Sequence, residues 1–237
     1  MVAAFLFFVI YFEYAFWTKC LKYMNATKCG ITEKVIVIFN TEIYENEIFD
    51  SVDAPDRVYK SITFKNCSFK SCTFSHTEFI NCVFEKCSFY GIKFNGAKFD
   101  KTAFLNCKIS FCSLFSATYN FCKLTGSCFS DCDFATVTIN GGNWSYTGLN
   151  YADFSKKQLE GVDFSNSDLQ RADFSKAKLR RCNFTDAVLS NATFAGADIR
   201  DNTFNGIDIK TVNLKNAYID LALAVTIAES HGARCYY

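Results

Sequence analysis

Large apolar residues recur at every fifth position of this chain. Between Phe64 and Ile219 the pattern repeats thirty-two times without a change of register, always at numbers that end in 4 or 9. The positions two residues earlier carry mostly Cys, Ala, Ser, Thr, Val, Ile or Gly, with Lys157 and Asn202 as exceptions. A period of five fits neither the 3.6 residues of an amphipathic helix nor the 2.0 of an ordinary strand, so neither element can carry it over so many repeats.

A square coil accommodates this period. If each five-residue unit forms one side, the large residue fills the centre and the small residue before it packs near a corner, while the other three positions face water. Four units make one turn of about 20 residues, and the turns stack through parallel backbone hydrogen bonds at about 4.8 Å. The sequence therefore predicts an all-β solenoid of about eight coils and about 38 Å in length.

The thirteen cysteines are explained first by this period. Nine of them occupy the small inward position: Cys67, Cys72, Cys82, Cys87, Cys107, Cys112, Cys122, Cys132 and Cys182. The chain has only two histidines, His76 and His231, and neither lies near a zinc-type cysteine pair. We interpret the nine as reduced thiols that act as small buried hydrophobes, which predicts a cytoplasmic protein without metal or cofactor. A metal or disulfide framework is the alternative.

Signatures of catalysis are missing from the sequence. Nucleophilic catalysis by Cys or Ser needs a base within reach, and the two histidines belong to no such arrangement. Gly141-Gly142 lacks the following Lys-Ser of a phosphate-binding loop and is interpreted as a tight corner beside Trp144. The sequence predicts a protein that is not an enzyme and has no small-molecule substrate.

The period stops after Ile219 and a different element follows. Asp220 is a suitable N-cap, and residues 221–229 predict a short helix closed by Gly232. One face, formed by Leu221, Ala224, Val225 and Ala228, is expected to cover the last coil. The surplus apolar surface predicts a C2 dimer joined tail to tail. The residues assigned to capping or dimer contacts are Leu221, Leu223, Ala224, Val225, Ile227, Ala228, Tyr236 and Tyr237.

The N-terminal part is divided more coarsely. Residues 1–23 form an apolar segment interrupted by Glu13, at the lower limit of length for a membrane span. Two interpretations stay open, a membrane anchor that leaves the rod in the cytoplasm or a translation start at Met24. Residues 24–59 are assigned to an N-terminal cap that includes a strand at residues 35–39 and a degenerate first coil. Residues 60–219 form the repeat and residues 220–237 the helix and tail.

The repeat resembles that of the pentapeptide-repeat family, whose consensus A(D/N)LXX appears as Ala152-Asp153-Phe154-Ser155-Lys156 and again at residues 172–176. The resemblance implies a right-handed quadrilateral parallel β-helix with a short C-terminal capping helix. The ending and the segment 151–156 are similar to the Qnr, MfpA and McbG branch. That likeness implies a homodimer that binds DNA gyrase or topoisomerase IV, in part as a DNA mimic, and gives quinolone resistance.

The distribution of charged residues along the repeat bears on the choice between two classes of binding function. Residues twenty apart share one face, so Asp133, Asp153 and Asp173 are expected to form an acidic column, the candidate partner-binding site. The repeat as a whole carries 19 Lys plus Arg against 14 Asp plus Glu, a net charge of +5. Without exposed aromatic residues among the lysines, this excess argues against direct nucleic-acid binding. The uninterrupted register and neutral overall charge favour the alternative, a general protein-interaction scaffold or effector module unrelated to topoisomerases.

Overall fold

The chain winds into a coil whose turns lie twenty residues apart. The computed structural model describes Phe39 and residues 41–236. Each strand pairs in parallel with the strand one turn away, so that Tyr44 faces Phe64 and Phe64 faces Phe84. The predicted all-β solenoid of parallel stacked strands is confirmed. The apolar segment 1–23, the alternative start at Met24 and most of the predicted strand at residues 35–39 lie outside the described residues.

The strands are short, because the chain turns a corner at every repeat. They are β1 (Ile43–Glu45), β2 (Ile48–Asp50), β3 (Val58–Lys60), β4 (Thr63–Lys65), β5 (Ser68–Lys70), β6 (Glu78–Ile80), β7 (Val83–Glu85), β8 (Ser88–Tyr90), β9 (Lys98–Asp100), β10 (Ala103–Leu105), β11 (Lys108–Ser110), β12 (Thr118–Asn120), β13 (Cys128–Ser130), β14 (Thr138–Asn140), β15 (Gly142–Asn143), β16 (Gln158–Glu160), β17 (Val162–Asp163) and β18 (Lys178–Arg180).

These strands build the faces of the coil. One sheet has the order β1-β4-β7-β10, a second β2-β5-β8-β11-β13, and a third β3-β6-β9-β12-β14. The pairs β15-β17 and β16-β18 continue two of the faces further along the rod. Residues 41–60 already form a turn of the coil, since β1, β2 and β3 pair with β4, β5 and β6.

The central residues, at numbers ending in 4 or 9, form the core. Phe64 stacks on Phe84 with ring centroids 4.9 Å apart and the planes at 6°. Within one turn the contact is edge-to-face, as between Phe64 and Phe69 at 73°. Stacked columns with edge-to-face contacts between them satisfy the preferred geometries of aromatic pairs in both directions. Large apolar residues at this period therefore specify the coil.

Corner residues, at numbers ending in 2 or 7, are more than small hydrophobes. Each of the nine corner cysteines donates its S–H to two backbone carbonyls, one 23 residues earlier and one two residues earlier. Cys87, for example, lies 3.3 Å from the Phe64 oxygen and 3.4 Å from the Glu85 oxygen. Thr102 and Ser127 make the same contact with hydroxyls, at 2.8 and 2.9 Å. The corner side chain thereby gives a backbone carbonyl of the core an additional hydrogen-bond donor.

Alanine occupies a different type of corner. At Ala97 the backbone N–H bonds to the carbonyl three residues earlier, Phe94, at 3.0 Å. The nine corner cysteines all lie at corners without this bond, whereas alanine is common where the turn closes in this way.

Most residues two positions after a central residue adopt the left-handed conformation and bend the chain. These residues have numbers ending in 1 or 6, and their φ angles cluster near +55°, as in Asn66 (53°) and Lys86 (54°). Asn, Gly and Asp adopt this conformation at least cost. Four aromatic residues also adopt it: Phe111, Phe121, Tyr146 and Tyr151.

The C-terminal helix α1 (Leu221–Ser230) is capped by Asp220, whose carboxylate accepts the Leu223 N–H at 2.9 Å. The helix and its N-cap are confirmed, but the buried face differs from the predicted one. Leu223 is buried and Ile227 packs against the core, whereas Leu221 is 80% exposed. The Asp220 carboxylate accepts the backbone N–H groups of Leu223 and Asp201 and so fixes the start of the helix. In this orientation Leu221 faces outward. Among the described residues, no helix is long and apolar enough to cross a bilayer.

Candidate partner-binding surface

The predicted acidic column is only partly formed. Asp153 and Asp173 are paired one turn apart, and the column continues to Thr193 and Asn213 as expected. Asp133 lies outside this paired column, because within the described coil no backbone β-bridge joins it to Asp153 or to Ser113.

Each of the three aspartates has a local role in its own turn. The carboxylates of Asp133, Asp153 and Asp173 accept the backbone N–H two residues later at 2.7 to 2.8 Å. Asp163 on another face does the same at 3.1 Å. The turn geometry therefore favours Asp at these sites whether or not a partner binds there.

Cations border the column on both sides. Arg171 lies over the Tyr151 ring at 5.3 Å and donates to its hydroxyl at 2.6 Å. Lys156 and Lys176 follow Asp153 and Asp173 by three residues and are exposed. The face therefore presents alternating charges rather than a purely acidic strip.

The backbone ladder opens on one side of the rod at residues 131–137. Two faces continue through this level, as the bridges from Lys123 to Asn143 and from Cys128 to Gly148 show. On the other two faces of the described coil, β14 and β16 are not paired and Asp133 has no bridge. We call this opening the seam.

Lys157 fills part of the seam. It occupies a corner position where most repeats have a small residue. Its ammonium group donates to the carbonyls of Ala135 at 3.0 Å and Val137 at 2.6 Å. Burial lowers the pKa of Lys157, while Asp153 and Asp133 oppose that shift. Asn202, the other polar exception, likewise donates to two backbone carbonyls, those of Leu179 and Arg200, at 3.1 and 2.9 Å.

A cavity of about 570 Å³ lies at the seam. Its walls come from residues 129–134 on one turn and 149–152 on the next, and they include Asp131, Asp133, Cys132 and Tyr151. Carboxylates and a tyrosine line its mouth. The five-residue register does not reveal the cavity, because it runs unbroken through these residues.

Several large aromatic side chains point outward. Tyr90, Phe111 and Phe115 are 53%, 56% and 61% exposed, and the Tyr90 and Phe111 rings touch edge-to-face with centroids 5.4 Å apart. Phe121 is exposed on the opposite side, where its ring lies against Gly141. The register could have shown these outward positions, but among 27 phenylalanines they are inconspicuous.

The residues assigned to dimer contacts divide into two groups. Leu223 is buried, and Ala224, Val225, Ile227 and Ala228 are partly covered. The second group, Leu221 and Tyr236, is strongly exposed. Tyr237 lies outside the described residues. The tip of the rod thus keeps an apolar surface beyond what the last coil covers.

The cysteines of the described part are all free thiols. Eight of the nine at corner positions are buried and Cys132, at the cavity, is half-buried. Cys128 is exposed. Within the same part of the chain, no group of His, Cys, Asp and Glu has the arrangement of a metal site.

Comparison with known proteins defines the class. A model of pentapeptide repeats matches eight copies at residues 64–100, 148–181 and 177–216. The chain belongs to the pentapeptide-repeat family. Residues 101–147, which contain Phe111, Phe115, Phe121 and most of the seam, are left unmatched.

Solved structures support the fold at the level of the whole coil. Two trypsin-treated variants of QnrB1, described as a plasmid-mediated fluoroquinolone resistance protein, are each 21% identical in sequence. The first covers 79% of this chain and 99% of QnrB1 with a TM-score of 0.53, and the second covers 80% and 100% with a TM-score of 0.52. This likeness concerns the fold. No curated protein sequence matches the chain.

Proposed function

We propose that this protein acts by binding rather than by catalysis, and that its partner is a type II topoisomerase, DNA gyrase or topoisomerase IV, which it protects from quinolone-like poisons. The observation that carries the proposal is the shared coil, which extends over 99% of a QnrB1 chain described as a fluoroquinolone resistance protein. A rod of this kind offers its partner an extended outer surface.

The acidic column is the surface to test. Asp153 and Asp173 present stacked carboxylates, but each also caps its own turn. Asparagine can keep that cap, as Asn183 does by accepting the Thr185 N–H at 3.0 Å. The double variant Asp153→Asn, Asp173→Asn therefore removes charge without removing the local hydrogen bonds.

The decisive measurement is a gyrase supercoiling assay with and without a quinolone. We expect the native protein to restore supercoiling in the presence of the drug and the double variant to lose this protection. Asp163→Asn, which has the same cap on another face, is the matched control and should retain it. If purified native protein neither binds gyrase nor alters its inhibition, the proposal is wrong and the interaction-scaffold alternative takes its place.

We further propose that the protein works as a tail-to-tail homodimer. Leu221, Tyr218 and Tyr236 expose 80%, 64% and 89% of their surface at the same end of the rod. Light scattering at micromolar concentration should give twice the chain mass, and Leu221→Glu should give the monomer. A monomeric native protein would contradict this assembly.

A further inference from the structure

We propose that the corner formed by Lys70, Tyr90, Lys93, Lys108, Phe111 and Phe115, here called the aromatic corner, binds single-stranded nucleic acid. The inference goes beyond the proposed topoisomerase function and is independent of it. The expectation against nucleic-acid binding rested on a lack of exposed aromatic residues among the lysines, and the structure places three such residues there.

One of the three aromatic residues, Phe111, is placed at a cost to folding. Phe111 has a φ of 55°, a conformation that a bulky residue adopts unfavourably, and 56% of its surface is exposed. Tyr90 and Phe115 are exposed to a similar degree. Residues held in unfavourable conformations tend to cluster at functional sites. Lys108, Phe111 and Phe115 lie in the stretch that the family model leaves unmatched.

Lysines are interleaved with these rings by the register of the coil. Lys70 pairs with Tyr90 one turn on, and Lys93 is bridged to Ser113, which lies between the two phenylalanines. Lys108 is three residues before Phe111 and exposed. Among the salt bridges of the described residues, none involves these three lysines. Their charges are available to phosphates.

The shape favours nucleic acid over a peptide. The side chains of Tyr90, Phe111 and Phe115 are more than half exposed, whereas the nearby cavity is lined by other residues, among them Asp131 and Asp133. A peptide anchors its side chains in concave pockets, while an unstacked base needs only an open ring face. Lysines beside stacking rings are the combination by which proteins hold single strands without reading their sequence.

Carboxylates limit the length of the site. Asp50 pairs with Lys70 on the turn before, and Asp131 follows Phe111 on the turn after. The cationic stretch therefore spans three turns, about 10 Å along the rod. Contact with only a few nucleotides is expected.

The test measures fluorescence anisotropy of labelled oligo-dT and oligo-rU of about 15 nucleotides with the full chain. Three lysines predict a slope of about −2 in log affinity against log salt, so binding should weaken roughly twenty-fold between about 50 and 200 mM salt. Lys93→Gln should make that slope shallower by about 0.7. Phe111→Asn and Phe115→Ser should each weaken binding at least about five-fold.

Tyr146→Asn is the matched control, because Tyr146 is also an exposed aromatic residue with positive φ, at 57°, but lies elsewhere on the coil. It should leave oligonucleotide affinity unchanged. Absence of binding at about 50 mM salt, or binding that Phe111→Asn and Tyr146→Asn alter equally, would overturn the proposal. Binding of a labelled acidic peptide in place of both oligonucleotides, lost in Phe111→Asn, would assign the corner to a protein partner and likewise overturn it.

Discussion

Replacing Cys87 by serine and by alanine should separate two roles of the corner thiols. If the thiol is only a small hydrophobe, alanine is the better substitute, because serine buries a hydroxyl. If its hydrogen bond to the Phe64 carbonyl matters, serine is better. The structure favours the second result, since the Thr102 hydroxyl at an equivalent corner donates to the Phe79 carbonyl at 2.8 Å.

The expected magnitudes follow from these contacts. Cys87→Ala removes the side-chain donor to the Phe64 carbonyl and leaves a small void beside it, so we expect a loss of about 2 kcal/mol in the free energy of unfolding. Cys87→Ser retains the donor and loses only part of the volume. It should cost about 1 kcal/mol, leaving serine more stable than alanine by about 1 kcal/mol.

The assay is equilibrium urea unfolding in reducing buffer, followed by circular dichroism. Ala177→Ser provides the control, because at this corner the backbone N–H already bonds to the Phe174 carbonyl at 3.0 Å. Serine should not stabilise the protein there. If Cys87→Ala proves as stable as Cys87→Ser or more so, the hydrogen-bonding role of the thiols is refuted.

Three further predictions concern the core and the seam. Burial raises the pKa of Cys72 to about 11 and that of Cys122 to about 12, from an ordinary value of 9.0. Because these thiols lose their protons at lower pH in the unfolded chain than in the folded one, their contribution to the free energy of unfolding should be complete below pH 9. Above pH 9 it should fall by about 1.4 kcal/mol per thiol per pH unit until the folded pKa is reached. Urea midpoints that stay constant from pH 8 to about 11 would contradict this. Lys157→Ala should cost about 2 kcal/mol in urea unfolding because two carbonyls lose a charged donor, whereas a more stable variant would show that the lysine holds the ladder apart. Phe174→Ala, in a ring stack with centroid spacings of 4.7 and 4.9 Å, should cost about 3 to 5 kcal/mol, and a loss below about 1 kcal/mol would mean that the stack can collapse onto the void.

Much of the fold could be predicted because a single period determines it. A large residue at every fifth position can be buried only if the chain turns a corner at every repeat, and Asp220 marks where the coil gives way to a helix. The hydrogen-bonding role of the corner cysteines was missed, because composition shows their size but not the carbonyl that faces them. Thr102 and Ser127 at the same positions carried that signal.

The candidate site was less predictable, because it depends on departures from the repeat. Spacing placed Asp133 in the acidic column, but the backbone ladder opens at that residue and separates it from Asp153. The sequence signal for the opening was Lys157, at a corner position where most repeats have a small residue. The outward position of Phe111 could be read from the register, whereas its left-handed conformation follows only from the geometry of the corner.

The departures from regularity coincide in one part of the rod. Residues 101–147 are left unmatched by the repeat model, and they include outward rings in left-handed positions and the unpaired ladder at Asp133. They also include Trp144, whose buried indole N–H has no hydrogen-bond partner in the described structure. Each of these features costs stability. We therefore infer that the functional surface lies along these turns, where Phe111 stands one turn before the cavity residue Asp131.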